Sequence, residues 1–200
     1  MRIISGKAGG RRLATPPGRT QDIRPTSDRA REALFNILGP VVNGSRVLDL
    51  YAGTGALGLE AFSRGAVDIT FVDFHRQPLE IIRKNISLCL PAGDQTVVSV
   101  LRYDLRKGLP PALLGGKAIF DLIFLDPPYS QGLSLKTLQY LGNGNLLTPN
   151  GIVVAEERSS ESLPAQCEML HLFDQRTYGD TGFWLYSLHH QTDTSVKERQ

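Results

Sequence analysis

Cysteine is scarce in this 200-residue chain: Cys89 and Cys167 are the only two, and they form neither a CxxC pair nor a metal-ligand spacing. A disulfide scaffold is thereby excluded, and two reduced, partly buried thiols are expected. Histidine is also sparse, and His75, His171, His189 and His190 have no partner spacing. Zinc chemistry therefore lacks a ligand set, and no metal is expected. No apolar run reaches the length of a membrane span, and the first residues lack the apolar core of a signal peptide. The expectation is a cytoplasmic protein with no membrane partner. Internal repeats and low-complexity tracts are missing too.

Acid is absent from residues 1–19, which hold Arg2, Lys7, Arg11, Arg12 and Arg19. The net charge of +2 hides an asymmetry, because residues 1–31 alone carry +6 and the remainder −4. A basic arm on a mildly acidic body points to a polyanionic partner, nucleic acid first. With 41% apolar residues the chain is long enough for one domain with a full core.

The stretches "RIISG" and "RRLAT" flank the turn "GKAGG" and predict a small cationic hairpin. An extended connector follows, then a helix in "SDRAREALFNIL", whose Ala30, Ala33, Leu34, Ile37 and Leu38 fall at helical spacing with Ser27 as N-cap. From residue 46 strands and helices alternate: "RVLDLYA", "ALGLEAFSRG", "DITFVD", "QPLEIIRKNISLC", "TVVSVLRYD", a short helical "PPALLGG", "AIFDLIFLD", "LSLKTLQYLG" and "GIVVAEE". Such alternation predicts a parallel sheet covered by helices on both faces. "CEMLHLFDQRTYG" and "TGFWLYSLHH" predict a terminal antiparallel pair turning at Gly179-Asp180, with Trp184, Phe183 and Tyr186 in the core. The expected boundaries are an arm and connector over 1–24, the α/β domain over 25–188 and a polar tail over 189–200.

In sheets of this kind ligands sit beyond the carboxyl ends of the strands, at the switch point. The first strand ends in "DLYAGTGALG", where Gly53 and Gly55 let the backbone approach a ligand closely. Gly53 to Gly58 also satisfy the weak dinucleotide pattern GxGxxG, so a nicotinamide enzyme stays open at this point. Asp73, 24 residues after Asp49, ends the second strand, as a ribose-binding acid does, or caps the next helix. Asp104 ends the third. Three acids at strand tips suit a nucleoside with hydroxyls, an exocyclic amine and a cationic end better than a pyrophosphate. The fourth strand ends in "LDPPY". One proline stops a strand, so the acid, the second proline and the tyrosine need a further reason. Glu156 and Glu157 close the fifth strand, either at the surface or lining a pocket.

Together "VLDLYAGTGALGLEA", "FVD" and "LDPPY" resemble class I methyltransferases that use S-adenosyl-L-methionine. With "RPTSDRAREALFNIL" ahead and "YGDTGFWLYS" behind, the chain resembles the bacterial 16S rRNA guanine-N2 methyltransferase family over roughly residues 2 to 187. The resemblance implies a Rossmann-like α/β fold: a seven-stranded, mostly parallel sheet whose last strand is antiparallel. It implies S-adenosyl-L-methionine held by Arg24, Thr26, Asp49, Tyr51, Ala52, Gly53, Thr54, Gly55, Asp73, Asp104 and Leu105. It implies catalysis by Asp126, Pro127, Pro128 and Tyr129, and 16S ribosomal RNA or the small ribosomal subunit as partner. The charge of the arm predicts Arg2, Lys7, Arg11, Arg12 and Arg19 on the RNA, and a monomer is expected.

The chemistry is consistent with that motif. The lone pair of an exocyclic amine is delocalised into the ring, and acceptors aimed at its two hydrogens direct the pair toward an incoming methyl group. Asp126 and the Pro127 carbonyl can be those acceptors, held rigid by the two prolines, while Tyr129 offers a face on which a base can stack. The same motif serves adenine N6 and cytosine N4 in DNA, although no large target-recognition domain is evident. A catalytically inactive binding module of the same fold is a further alternative, at odds with the intact motifs.

Overall fold

The computed structural model describes residues 1–16, 28–115, 120–129 and 131–188. Arg19, Arg24, Thr26, the Ser27 cap and the tail from residue 189 lie outside the described residues. Helix α1 spans Asp28–Leu38 and buries Ala30, Leu34, Phe35 and Leu38 along one stripe, ending where Gly39 takes a left-handed φ of 52° ahead of Pro40. The alternating part then runs β1 (Arg46–Leu50), α2 (Ala56–Ser63), β2 (Asp68–Asp73), α3 (Arg76–Cys89), β3 (Val97–Arg102), α4 (Pro111–Leu114), β4 (Phe120–Leu125), α5 (Leu133–Gly142) and β5 (Leu147–Arg158). The end of the chain adds β6 (Gln166–Cys167), β7 (Leu170–Tyr178) and β8 (Thr181–Ser187).

The sheet order is β3-β2-β1-β4-β5-β8-β7-β6. All pairs from β3 to β5 are parallel, and β8 inserts antiparallel between β5 and β7. Eight strands stand where seven are expected, because the two-residue β6 adds an edge pair to β7 around Glu168, whose φ is 55°. β5 is longer than its apolar run: Leu147 already pairs with Phe120, and a register shift before Leu122 absorbs Pro149 and Gly151.

Side chains alternate across each strand, and the two faces feed two cores. Val47, Ile69, Phe71, Leu122, Phe124 and Val154 pack with α1, α2 and α3. Leu48, Leu50, Ile123, Leu125, Val153 and Trp184 pack with α4 and α5. The connection reverses direction between β1 and β4, which places the switch point at the tips of those two strands.

The arm departs from a simple hairpin by packing onto the domain. Among the described residues its only ladder contact is one bridge, Arg2 to Arg12, yet Ile3, Ala8 and Leu13 are buried in the same cluster as α1 and α2. Burial of such side chains contributes about 1.5–3 kcal/mol each for the larger ones. Its backbone is also claimed by the domain. Glu60 of α2 accepts from Ile4 N (2.7 Å) and Ser5 N (3.2 Å), and Ser63 accepts from Ala8 N (2.9 Å). Three of the arm cations are engaged internally: Arg2 faces Asp28 at 3.5 Å, Lys7 meets Asp94 at 3.0 Å and lies over the Phe62 ring, and Arg11 donates to the Leu88 carbonyl. These cations therefore close polar contacts on the domain itself.

Candidate active site

Alternation puts Asp73, Asp49, Asp126 and Glu156 on one face of the sheet, the face covered by α1 and α2. Asp49 follows Val47 by two residues, Asp73 follows Phe71, Asp126 follows Phe124 and Glu156 follows Val154, and all four leaders belong to that face's core. Register sets their heights. Asp49 lies opposite Phe71 on one side and Phe124 on the other, so Asp73 and Asp126 stand two residues higher. Leu125 pairs with Ala155, which makes Asp126 and Glu156 neighbours one residue beyond that pair, on strands about 4.8 Å apart. Four carboxylates therefore line one edge of the switch point.

The turn after β1 is wound with left-handed residues: Tyr51 (φ 59°), Gly53 (57°) and Gly55 (75°). A non-glycine residue in that region is uncommon, and Tyr51 is held there with its hydroxyl 2.9 Å from Thr137 of α5. Gly53 N donates to Asp73 Oδ2 at 3.0 Å, and Asp73 Oδ1 accepts from His75 N at 3.0 Å. Asp73 thus ties the glycine turn to the second strand tip and also turns the chain into α3. Gly58 N donates to Asp49 Oδ2 at 2.9 Å, and a Cβ at Gly58 would lie 2.4 Å from the Phe71 ring, so only glycine allows this approach. Ala52 is buried in the same turn.

Asn85 is a residue of the site's frame that sequence reading missed. Its amide donates to the Thr54 carbonyl (2.8 Å) and the Ala14 carbonyl (3.1 Å), and its oxygen accepts from Ala14 N (2.7 Å). The glycine turn is thereby fastened to the arm. The available signal was a polar residue among Leu79, Ile82 and Cys89 on the apolar stripe of α3.

Asp104 is engaged differently from the other tips. Arg106 grips it through Nε (2.8 Å) and Nη2 (2.9 Å), which holds its carboxyl below the usual range, and Leu105 beside it is buried. Arg106 also lies over Phe74, an exposed ring just after Asp73.

At the fourth tip Asp126 is half-buried, Pro127 buried, Pro128 exposed and Tyr129 half-buried. Tyr129 donates its hydroxyl to Glu156 Oε1 at 3.0 Å, and the Arg158 guanidinium stands 5.7 Å from its ring centroid. Glu156 and Glu157 are 1% and 5% exposed, which removes the surface placement left open for them. Glu157 lies on the opposite face and accepts from Ser134 Oγ at 2.8 Å.

The electrostatics follow from this crowding. Burial pushes Asp49 up to about 8, with the Gly58 N–H opposing and Asp73 adding to the rise. Asp126 is raised well above the carboxylate range by burial, then by Glu156, Asp49 and Glu157. Burial, Glu156 and Asp126 likewise raise the Tyr129 phenol. No cation of the described residues is among the charges that shift Asp49 or Asp126. Among the described residues there is no group of three His, Cys, Asp or Glu that could hold a metal, and no helix long and apolar enough to cross a membrane.

A parallel 3-2-1-4-5 sheet with the last strand inserted antiparallel, carrying a glycine turn and acids at its switch point, is the class I methyltransferase fold. Residues 1–187 match the family described as conserved hypothetical protein 95. The chain is 33% identical over 200 residues to ribosomal RNA small subunit methyltransferase D of Escherichia coli K12, with 98% of this chain and 94% of that protein covered. The Haemophilus influenzae protein of the same name is 33% identical over 187 residues, 93% of each chain. Among solved structures, Escherichia coli yhhF superposes with a TM-score of 0.76 at 33% identity, over 93% of this chain and 96% of that one. A hypothetical protein of Thermus thermophilus also gives 0.76, at 28% identity and over 94% and 99%. The chain belongs to the conserved hypothetical protein 95 family, that of ribosomal RNA small subunit methyltransferase D.

Proposed function

We propose that the protein transfers a methyl group from S-adenosyl-L-methionine to the exocyclic N2 of a guanine in 16S ribosomal RNA of the small subunit. The observation that carries this reading is the row of four carboxylates beside a glycine turn. Carboxyls raised by desolvation and further by like-charged neighbours call for a cationic ligand, and a sulfonium with an ammonium group meets that need. The names of the relatives at 33% identity supply the ribosomal RNA.

Asp49, Tyr51, Ala52, Gly53, Thr54 and Gly55 would hold the methionine end, with Arg24 and Thr26 closing over it. Asp73 would take the ribose hydroxyls, and Asp104 and Leu105 would lie against the adenine. When bound, the sulfonium supplies an electrophilic methyl group. The chain's own work is then alignment and exclusion of water. Asp126 and the Pro127 carbonyl accept from the amine and aim its lone pair, and Pro128 keeps that carbonyl fixed. Tyr129 stacks on the base. A bound cation favours the ionised form of Asp126, and that carboxylate takes the proton that leaves N2. Arg2, Lys7, Arg11, Arg12 and Arg19 face the RNA phosphates, in addition to the internal contacts that three of them make.

The test is mass spectrometry of small-subunit RNA from cells lacking the protein. One N2-methylguanosine should disappear, and purified protein with labelled S-adenosyl-L-methionine should restore it on the extracted RNA or particle. An unchanged RNA would overturn the proposal.

A further inference from the structure

Glu156 is a buried carboxyl level with the clamp, and nothing in the alignment of the amine requires it. We infer that Glu156 is a specificity-determining residue: it accepts the N1–H of the target base and so selects guanine over bases whose ring nitrogen at that edge is an acceptor. The inference rests on the methyl-transfer reading above.

Position argues for it first. Asp126 and Glu156 are neighbours on adjacent parallel strands, on the same face and one residue beyond the Leu125–Ala155 pair. If Asp126 faces the exocyclic amine, the next acceptor along the sheet faces the adjacent ring nitrogen. Guanine presents N2–H and N1–H side by side. Adenine next to N6, and cytosine next to N4, present a bare nitrogen lone pair, which a carboxylate repels.

The second argument is the occupant of that position. Tyr129 donates its hydroxyl to Glu156 Oε1 at 3.0 Å. A phenol donor thus fills, without substrate, the place of the donor that a guanine N1–H would offer. Motion of Tyr129 from over Glu156 to the face of the base would exchange one donor to Oε1 for the other. A polar site of this kind rejects an analogue lacking the hydrogen more strongly than an apolar pocket rejects a missing methylene.

The third argument is charge. Asp126 and Glu156 repel each other, and Glu156 is the largest charged influence on Asp126. A base edge carrying two adjacent donors relieves that repulsion, whereas an edge with a donor and an acceptor relieves only half of it.

The experiment uses small-subunit RNA in which the methylated guanine is replaced by 2-aminopurine, which keeps the N2 amine but has no hydrogen on N1. The full-length protein should prefer guanine by at least ~100-fold in kcat/KM, as expected for a lost hydrogen bond to a built polar site. Glu156→Gln, whose amide can donate to a bare N1, should narrow that preference by at least ~10-fold. The change in the ratio, rather than either rate, isolates N1, because 2-aminopurine also lacks the O6 oxygen. Tyr129→Phe, which removes only the hydroxyl, should leave the ratio as in the unaltered protein.

Equal use of the two substrates by the unaltered protein would overturn the inference without any variant, and would leave guanine methylation standing. An unchanged ratio in Glu156→Gln would do the same, as would a Tyr129→Phe ratio that moves like that of Glu156→Gln, since Glu156 would then act only through the tyrosine. No methylation of either RNA would instead bring down the function reading itself.

Discussion

The arm and the strand tips are both rich in charge, and they treat it in opposite ways. In the arm, charges of opposite sign meet. Buried Glu60 receives two arm amides, lies 2.8 Å from Arg64 Nε and 4.0 Å from Arg31 Nε, while Arg2 and Lys7 each have an acid within 3.5 Å. At the tips, charges of like sign are stacked, and Asp49 and Asp126 are pushed toward the protonated form by burial and by their acidic neighbours. A neutralised cluster holds a fold together. A row of one sign costs stability and is kept for something that binds there.

Breaking the arm's cluster should have the largest effect on stability. Glu60→Ala takes the acceptor from two arm amides and the ion-pair partner from Arg64, while Arg31 keeps Asp28, and removal of one partner from a buried ion pair costs about 3–5 kcal/mol. Urea unfolding should show that loss, and the arm amides should exchange with solvent faster. A loss below about 1 kcal/mol would mean the arm is only loosely docked.

The same operation at the tips should go the other way for stability while abolishing function. Asp126→Asn keeps the shape and removes one charge of the row. Turnover should fall at least ~100-fold, the size expected for loss of a positioned acid–base group. Affinity for S-adenosyl-L-methionine, read by calorimetry, should change little, and the midpoint of unfolding at pH 8 should stay or rise. A marked loss of stability would place Asp126 in the frame of the fold instead.

The comparison sharpens with pH. Asp49 is raised from 3.8 to about 8, so the folded protein binds its proton where the unfolded chain has released it. Its stabilising effect is therefore complete below about pH 4 and fades as pH climbs toward 8. Between those values the ligand-free protein should lose stability with rising pH, and Asp49→Asn should flatten that slope. Binding of a cationic cofactor favours the ionised form, so calorimetry at pH 7 in buffers of different ionisation enthalpy should report proton release. No release would separate Asp49 from the cation.

The smallest effect is expected at Arg12, which is exposed on the arm. Arg12→Ala should alter stability by no more than about 0.5 kcal/mol. If it meets phosphate, the dependence of RNA affinity on salt should become shallower by about one counterion. Identical slopes would make the arm a structural element alone.

Much of this was readable beforehand. β2 over 68–73 and α5 over 133–142 fall where the apolar pattern puts them, and so does the Gly179-Asp180 turn ahead of β8. The glycine turn and the acid-proline-proline-tyrosine tip were legible for the same reason: each is a short contiguous stretch whose backbone demands show in its composition. The edge strand β6 was not, because two residues carry no period.

Amino-acid order by itself determined the succession of strands and helices, the stop at Pro127 and the acids at the tips, since periodicity, helix ends and strand breakers act within a few residues. Only the tertiary structure decided that Glu60 anchors Ile4 from 56 residues away, that Asn85 joins Ala14 to Thr54, and that Glu156 lies beneath Tyr129. Those roles depend on which strands become neighbours and which face a side chain takes, and a polar residue's own identity says nothing of either until the sheet has closed around it.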